Sequence, residues 1–307
     1  MSNAVDIVTV LFNSGDVLDR FVASLVGQQG VQWRLIAVDN ASSDGCADRL
    51  EALGDPRIVV LRNATNTGFA RATNRGLRHA LSLGSEFMML LNNDTAFEPE
   101  FLKDLLDARD HHQADVIAPR ILYLRDPDHA WYAGGHFNND WIFKSIHEEA
   151  DSPDEPDHRI VDFASGCCLG ITRAVTDTID LLDERFFVYW EDTDFCMRLK
   201  MEAIPIHYVR GITLLHDSSA LTGGPNSQTF IRLFYRGYMQ LLMKYFGMVY
   251  AGRAALRLIA KHHAHRDNRG RRALPTMAGA LVRGYLIALI APRLPARKFL
   301  AAWRRTA

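Results

Sequence analysis

Phe87-Met88-Met89-Leu90-Leu91-Asn92-Asn93-Asp94 is an apolar run that stops abruptly in two amides and a carboxylate. Five apolar side chains in succession suit a strand covered on both faces, and the polar stop marks where it leaves the core. The same arrangement occurs upstream. Residues 5–11 run into Phe12-Asn13, residues 35–38 run into Asp39-Asn40, and residues 58–61 form a further short apolar run. The segments between them have helical spacing. Val17, Leu18, Phe21, Val22, Leu25 and Val26 share one stripe of a helix over 17–26, and further helices are expected over 46–53 and 71–83. Strand and helix alternating in this way predict an α/β fold with a mostly parallel central sheet and helices on both faces. Ligands of such sheets bind beyond the carboxyl ends of the strands, so the polar stops are the first residues to examine.

Beyond Pro119 the alternation loosens. Residues 126–128 and 151–157 read as loops, and Trp131-Tyr132-Ala133-Gly134-Gly135 between them reads as a lid or mobile substrate loop. A buried strand is expected over 163–172, a helix beginning at Asp192, a short strand over 206–209, and mostly helix from 227 onward. These readings divide the chain into a catalytic domain, 1–226, and a C-terminal helical extension, 227–307.

Charge is divided unevenly. The net charge of the 307 residues is -1, yet from residue 250 onward thirteen Lys and Arg face the single acid Asp267, leaving 22 basic and 35 acidic residues before it. Such asymmetry predicts a basic surface with an anionic partner. The 48% hydrophobic content supports a sizeable core. Cys46, Cys167, Cys168 and Cys196 form no CxxC pair, which argues against a zinc ribbon or disulfide framework and for reduced, cytoplasmic thiols. The N-terminus shows no signal pattern, and the longest apolar segment, 277–292, is interrupted by Arg283. The expectation is a protein that lies on a membrane without crossing it.

Three strand ends carry polar clusters, at Phe12-Asn13, Asp39-Asn40 and Asn92-Asn93-Asp94, which an α/β sheet would bring to one crevice. Asn66-Thr67-Gly68-Phe69-Ala70-Arg71-Ala72-Thr73-Asn74 is a glycine turn entering a helix, where backbone N–H groups and Arg71 suit a diphosphate. Asp39 and Asn66 serve equally well as turn formers. Asp94 is a candidate ligand for Mg²⁺ or Mn²⁺, with Asn92 placed on the same side by strand alternation. Glu191-Asp192-Thr193-Asp194, bracketed by Trp190 and Phe195, concentrates three carboxylates within four positions, as a helix cap, a catalytic group or both. His216, after the apolar run 212–215, is a structural histidine or a third metal ligand. A dinucleotide site would need GxGxxG after the first strand, where this chain has Phe12-Asn13-Ser14-Gly15-Asp16, and there is no P-loop.

As an ordered set, the stretches beginning at Val8, Val38, Asn66, Leu91, Phe163, Trp190 and Leu215 resemble the family-2 inverting glycosyltransferases of GT-A fold. The likeness is to the rhamnosyltransferase-like and galactofuranosyltransferase-like branch. The resemblance implies that Thr9 and Asn13 line the nucleotide pocket and that Asp39 binds base or ribose. It further implies that Asn66, Gly68, Arg71, Asn74, Asn92 and Asn93 serve the donor, that Gly166 and Trp190 lie near the sugar and acceptor, and that Asp94 and His216 hold the metal. Asp192 matches the catalytic base, supported by Glu191. The chain departs from the family's DxD metal motif by having Asn92 at its first acidic position. The implied donor is dTDP-rhamnose or a UDP-sugar, and the implied acceptor a lipid-linked glycan precursor. A nucleotidyltransferase would need a basic glycine-rich loop after the first strand, which is missing; a catalytically inactive carbohydrate- or lipid-binding homologue stays open. The basic tail suits an anionic membrane surface on the cytoplasmic side, or else a face packed on the acidic half. It lacks the interleaved aromatics of a nucleic-acid surface.

Overall fold

The computed structural model describes residues 4–137, 155–218, 227–264 and 268–289. Within them the chain runs β1 (Ala4–Leu11), α1 (Gly15–Val26), β2 (Gln32–Asp39), α2 (Cys46–Glu51), β3 (Ile58–Arg62), α3 (Phe69–Ser82), β4 (Phe87–Leu91) and β5 (Thr95–Ala96). It continues through α4 (Phe101–His112), β6 (Val116–Tyr123), β7 (Asp126–Tyr132), β8 (His158–Val161), β9 (Cys168–Thr172), α5 (Arg173–Thr178), α6 (Glu191–Met201) and β10 (Ile206–His216). Two long helices, α7 (Gln228–Ala264, kinked at Gly247) and α8 (Asn268–Leu289), follow.

One sheet carries all ten strands, in the order β3-β2-β1-β4-β9-β6-β10-β5, with β7 on β6 and β8 on β10. The four strands read first, β3-β2-β1-β4, are parallel as expected. The parallel run stops at β9, which lies antiparallel between β4 and β6, and the far half of the sheet is mixed. Consecutive residues Ile7 and Val8 are 0% and 2% exposed, so β1 is covered on both faces. On one of them α3 approaches so closely that a Cβ built on Gly76 would lie 2.4 Å from Val8 Cγ1.

Four expectations change. Residues 126–128, read as a loop, open β7, where Asp126 pairs with Tyr123. The strand expected over 163–172 begins only at Cys168; Phe163 makes an isolated bridge to Gly135, and 165–167 turn between them. Strand 206–209 extends to His216 through a register shift between Val209 and Thr213, merging two apolar runs. Trp131–Gly135 is not a lid. Trp131 and Tyr132 belong to β7, the Tyr132 hydroxyl donates to the Phe163 carbonyl at 2.7 Å from a fully buried position, and the Gly135 carbonyl accepts from Asp162 and Phe163. A buried phenol with its hydrogen bond made is held by the core.

The C-terminal helices pack in two ways. Leu241 and Tyr245 of α7 join the core of the sheet, while Met239, Leu242, Met277 and Leu281 form a smaller core between α7 and α8. Of the basic tail, Arg266, Arg293, Arg297, Lys298, Arg304 and Arg305 lie outside the described residues, as does most of the acidic loop 151–157.

Gly76→Ala isolates the helix–sheet contact. Alanine favours a helix interior by about 1 kcal/mol, but its methyl would have to displace a β-branched core side chain. The expected outcome is a net loss of about 1–3 kcal/mol in urea denaturation; a gain in stability would mean that α3 can withdraw from β1.

Candidate active site

The C-terminal ends of β1, β2 and β4 are knitted together by amides. Asn40, just past β2, donates to Asn66 Oδ1 at 2.9 Å and to the Gly68 carbonyl at 3.3 Å. Its own Oδ1 accepts from Asn63 Nδ2, Thr67 N and Thr67 Oγ1. Asn66 Oδ1 also accepts from Gly68 N, closing the turn that opens α3. Gly68 has φ +86°, and a Cβ there would lie 2.5 Å from the Phe187 carbonyl oxygen, so glycine is required twice over. That carbonyl accepts from Phe69 N at 2.6 Å, which joins the turn to the segment before α6.

The candidate donor residues divide by what they already hold. Asp39 is buried and accepts from Ser42 N at 3.0 Å, with Arg62 3.9 Å away. Asn13, exposed and at φ +52°, accepts from Ser43 N and Ser43 Oγ and fastens the β1 and β2 loops together. Four others lie deeper or already have protein partners. Thr9 is 1% exposed, with its hydroxyl inside the sheet. Asn93 donates to the Val10 carbonyl at 2.7 Å and ties β4 to β1. Asn74 is buried, donating to the Leu182 carbonyl at 2.7 Å and accepting from Leu182 N at 3.0 Å. Arg71 is exposed but pairs with Glu184 at 3.1 Å. Asn74 is thus tied to the fold through both ends of its amide, whereas the Thr9 hydroxyl and the Asn93 Oδ1 are buried without a hydrogen-bond partner.

Asp94 and His216 are brought together by β5. Its antiparallel pairing sets Thr95 opposite His216, and Asp217 N donates to the Asp94 carbonyl at 2.9 Å. Asp94 Oδ1 stands 3.2 Å from His216 Nε2, with both side chains under 10% exposed. The alternation argument for Asn92 does not hold, since β4 ends at Leu91 and 92–94 turn; Asn92 is only half-buried. Burial opposes a charged His216, but the adjacent Cys167 sulfur and Asp94 carboxylate outweigh it, and its pKa is pushed up to about 11. Asp94 Oδ1 and His216 Nδ1 are buried with no hydrogen-bond partner. The carboxylate and the imidazole pair with each other here, and a divalent cation taking the place of the proton between them would meet one oxygen and one nitrogen ligand. The sequence did not reveal Cys167 beside His216, or Trp131, whose ring meets that of His216 edge-on at 4.4 Å. Neither did it reveal Arg20 and Arg125, each 3.5 Å from Asp217. Arg125 follows a strand end, which was a usable signal; Arg20 lies on a helix face and offered none.

The carboxylate cluster sits at the N-terminus of α6, one residue earlier than expected, after two aromatic residues in left-handed backbone: Tyr189 (φ +68°) and Trp190 (φ +75°). Asp192 Oδ2 accepts from Gly166 N at 3.2 Å, and Oδ1 from Thr193 N at 2.6 Å and Thr193 Oγ1 at 3.3 Å. Burial raises the Asp192 pKa, and these donors oppose the rise. Glu191 is raised well above the usual range by burial and then by Asp192, and its Oε2 has no hydrogen-bond partner. Asp192 is thus the better provided with donors that favour a carboxylate, while Glu191 Oε2 has none. Trp190 donates through Nε1 to the Phe234 carbonyl on α7 at 2.9 Å, so its ring edge is engaged there.

The turn 165–167 connects the two clusters. Gly166 N reaches Asp192, Cys167 lies against His216, and the Cys167 carbonyl accepts from Asn92 N at 2.9 Å. A Cβ on Gly166 would also lie 3.8 Å from the Phe69 ring, at the start of α3. Glycine turn, base candidate and metal candidate thus share one neighbourhood.

The family model described as "Glycosyl transferase family 2" matches residues 6–179. The dTDP-rhamnosyl transferase RfbF of Shigella flexneri is 26% identical over 208 residues, covering 66% of this chain and 67% of that protein. The N-acetylglucosaminyl-diphospho-decaprenol L-rhamnosyltransferase of Mycobacterium tuberculosis is 27% identical over 250 residues, 73% of this chain and 79% of that one. In fold the chain is similar to a mannosyltransferase from Pyrobaculum calidifontis solved with GDP-Man and Mn²⁺. That comparison has a TM-score of 0.54 and 17% identity, and covers 99% of this chain and 80% of the other. The matched span runs from β1 through α5, more than half of the sequence, and the chain belongs to glycosyl transferase family 2, with a GT-A fold.

Proposed function

We propose that this enzyme moves rhamnose from dTDP-rhamnose, or a sugar from a related UDP donor, to a hydroxyl of a lipid-linked glycan precursor, inverting the anomeric centre. One observation carries this reading: a single turn, 165–167, touches the Asp192 carboxylate on one side and the His216–Asp94 pair on the other. The two relatives named as rhamnosyltransferases, one of them acting on a diphospho-decaprenol, support the choice of sugar and acceptor class.

Asp192 acts as general base. Gly166 N–H and Thr193 N–H fix its orientation, and its partly desolvated carboxylate takes the acceptor proton as the hydroxyl oxygen attacks the anomeric carbon. The bond to the nucleoside diphosphate breaks on the opposite face in the same displacement. Mg²⁺ or Mn²⁺ held by Asp94 and His216 would offset the charge on the leaving diphosphate. Arg20 and Arg125, flanking Asp217 next to His216, add positive charge on that side. Trp190 and Glu191 brace the base, and Asp39, Asn66 and Gly68 shape the nucleotide end.

The helical region 227–307 is proposed to dock on the cytoplasmic leaflet of the inner membrane. Val249 and Leu256 on α7 are 70% and 69% exposed, beside exposed Arg253 and Arg257. Val282, Leu286 and Leu289 line the outer face of α8, beside exposed Arg283. Apolar residues at helical spacing among arginines suit burial at a headgroup boundary. Among the described residues no helix is long and apolar enough to cross a membrane.

Asp192→Asn should lower kcat with dTDP-rhamnose by about 10²–10⁴ while donor affinity by calorimetry stays near that of the unaltered enzyme; undiminished turnover would remove Asp192 from the base role. Because the active form is the carboxylate and its pKa is raised, kcat/KM should fall as pH drops through that raised value. Thr193→Ala removes a donor that lowers it, so the acid limb should move to higher pH, and an unmoved limb would mean that another group titrates. Flotation on vesicles containing anionic lipid should recover the protein and lose most of the Leu256→Glu/Leu286→Glu variant; equal recovery of both contradicts docking.

A further inference from the structure

The sheet carries a second group of coordinating side chains at the end opposite the Asp94–His216 pair. His112 closes α4, His158 opens β8 and His207 is the second residue of β10. His207 and His216 stand opposite Ile117 and Tyr123 of β6, which are six residues apart, or roughly 20 Å at strand rise. The ligating atoms of the three histidines all lie within 4.8 Å of one another. His158 Nε2 and His207 Nδ1 are 3.0 Å apart, and the His112 ring stacks on His158 with centroids 3.7 Å apart and planes 11° from parallel. His207 is buried against the strands, while His112 and His158 are half-buried and open the group to solvent.

We propose that His112, His158 and His207 form a binding site for a divalent transition cation of the Zn²⁺ class, which clips the end of α4 to the β8–β10 edge. Three imidazoles with no carboxylate among them suit Zn²⁺, Ni²⁺ or Cu²⁺ and not the oxygen-seeking Mg²⁺ or Mn²⁺. Asp115, whose charge acts on His207, accepts from Thr172 Oγ1 at 2.7 Å. Burial, and then neighbouring imidazoles, push all three histidines below the usual value, which leaves their lone pairs available at neutral pH. Three protein ligands and a water complete a tetrahedral shell, with neighbouring ligand nitrogens about 3.4 Å apart. The His158–His207 pair is already near that spacing, and the His112 ring turns out of its stack to supply the third nitrogen. The proton shared by His158 and His207 moves to the other nitrogen of its ring, so the step is balanced without net release. The gain is structural. β8 is a four-residue strand that pairs only with β10 among the described residues, and the ion ties it to a second element.

The test uses the full chain, purified without a polyhistidine tag, stripped with chelator and titrated with Co²⁺, whose visible bands are intense only in four-coordinate sites. One equivalent should develop those bands in the unaltered protein and in Asp94→Asn/His216→Asn. Zn²⁺ should abolish them and excess Mg²⁺ should not, and His112→Gln/His158→Gln should fail to develop them while keeping its far-ultraviolet circular dichroism. Absence of the bands in the unaltered protein, or their persistence in His112→Gln/His158→Gln, overturns the proposal. Should that variant not fold, the unaltered protein decides through histidine acylation mapped by mass spectrometry. Zn²⁺ must shield His112, His158 and His207 while leaving exposed His136 reactive, and equal labelling of all four with and without Zn²⁺ rejects the site.

Discussion

The register between β4 and β9 is the constraint on which the rest of the site depends. Leu91 stands opposite Cys168, so the residues just before β9 emerge where those just after β4 do. A slip of one residue would turn every side chain of β9 to the other face and carry Gly166 N away from Asp192. Each ladder bond contributes only about 1 kcal/mol, but the register is fixed by apolar residues on both faces. Met89 faces Gly170, Leu90 faces Leu169, and Phe87 occupies the volume that a Cβ on Gly170 would need. Packing far from any substrate thereby sets the spacing of two carboxylates almost a hundred residues apart in sequence.

A second constraint holds α6 in place. Asp194 is fully buried and accepts from Arg198 Nε at 3.0 Å and the Tyr245 hydroxyl at 2.8 Å, and it also pairs with Lys244. Lys244 bonds Asp183 as well, at 2.8 Å; burial works against that carboxylate's charge, but Arg185 and Lys244 hold its pKa well below the usual range. Buried ions are costly to desolvate and tolerable only when fully paired, so such a network contributes more to a unique arrangement than to net stability. The arrangement it selects sets the first turn of α6 beside the 165–167 turn, and with it Glu191 and Asp192.

The parallel half of the sheet was legible because its strands read as unbroken apolar runs with polar ends. The antiparallel half was not, since β5, β8 and β9 are two to five residues long and their pairing is decided by tertiary contacts rather than by periodicity. The locations of Asp94, Asp192 and His216 in the chain could be read, but their proximity rests on the β5–β10 and β4–β9 ladders, which no local pattern encodes. Two of the amides also have work inside the fold that their position in the sequence did not announce. Asn74 and Asn93 sit where ligand-binding amides sit, yet one satisfies both backbone groups of Leu182 and the other caps the end of β1. Trp131 read as a loop residue because Gly134 and Gly135 follow it, while its partner Tyr132 is anchored in the core.

Tyr189 and Trp190 hold consecutive left-handed conformations that cost about 1–3 kcal/mol each and need outside support. The support comes from α7, through the Phe234 carbonyl and the rings of Phe234 and Tyr238, which lies beyond the span matched by the family model. A fragment cut before α7 would keep the sheet's own ladders but let these two residues relax, swinging the first turn of α6 away from its post. The C-terminal helices thus act as a splint for the first turn of α6, and their sequence can drift only as far as that splint still fits.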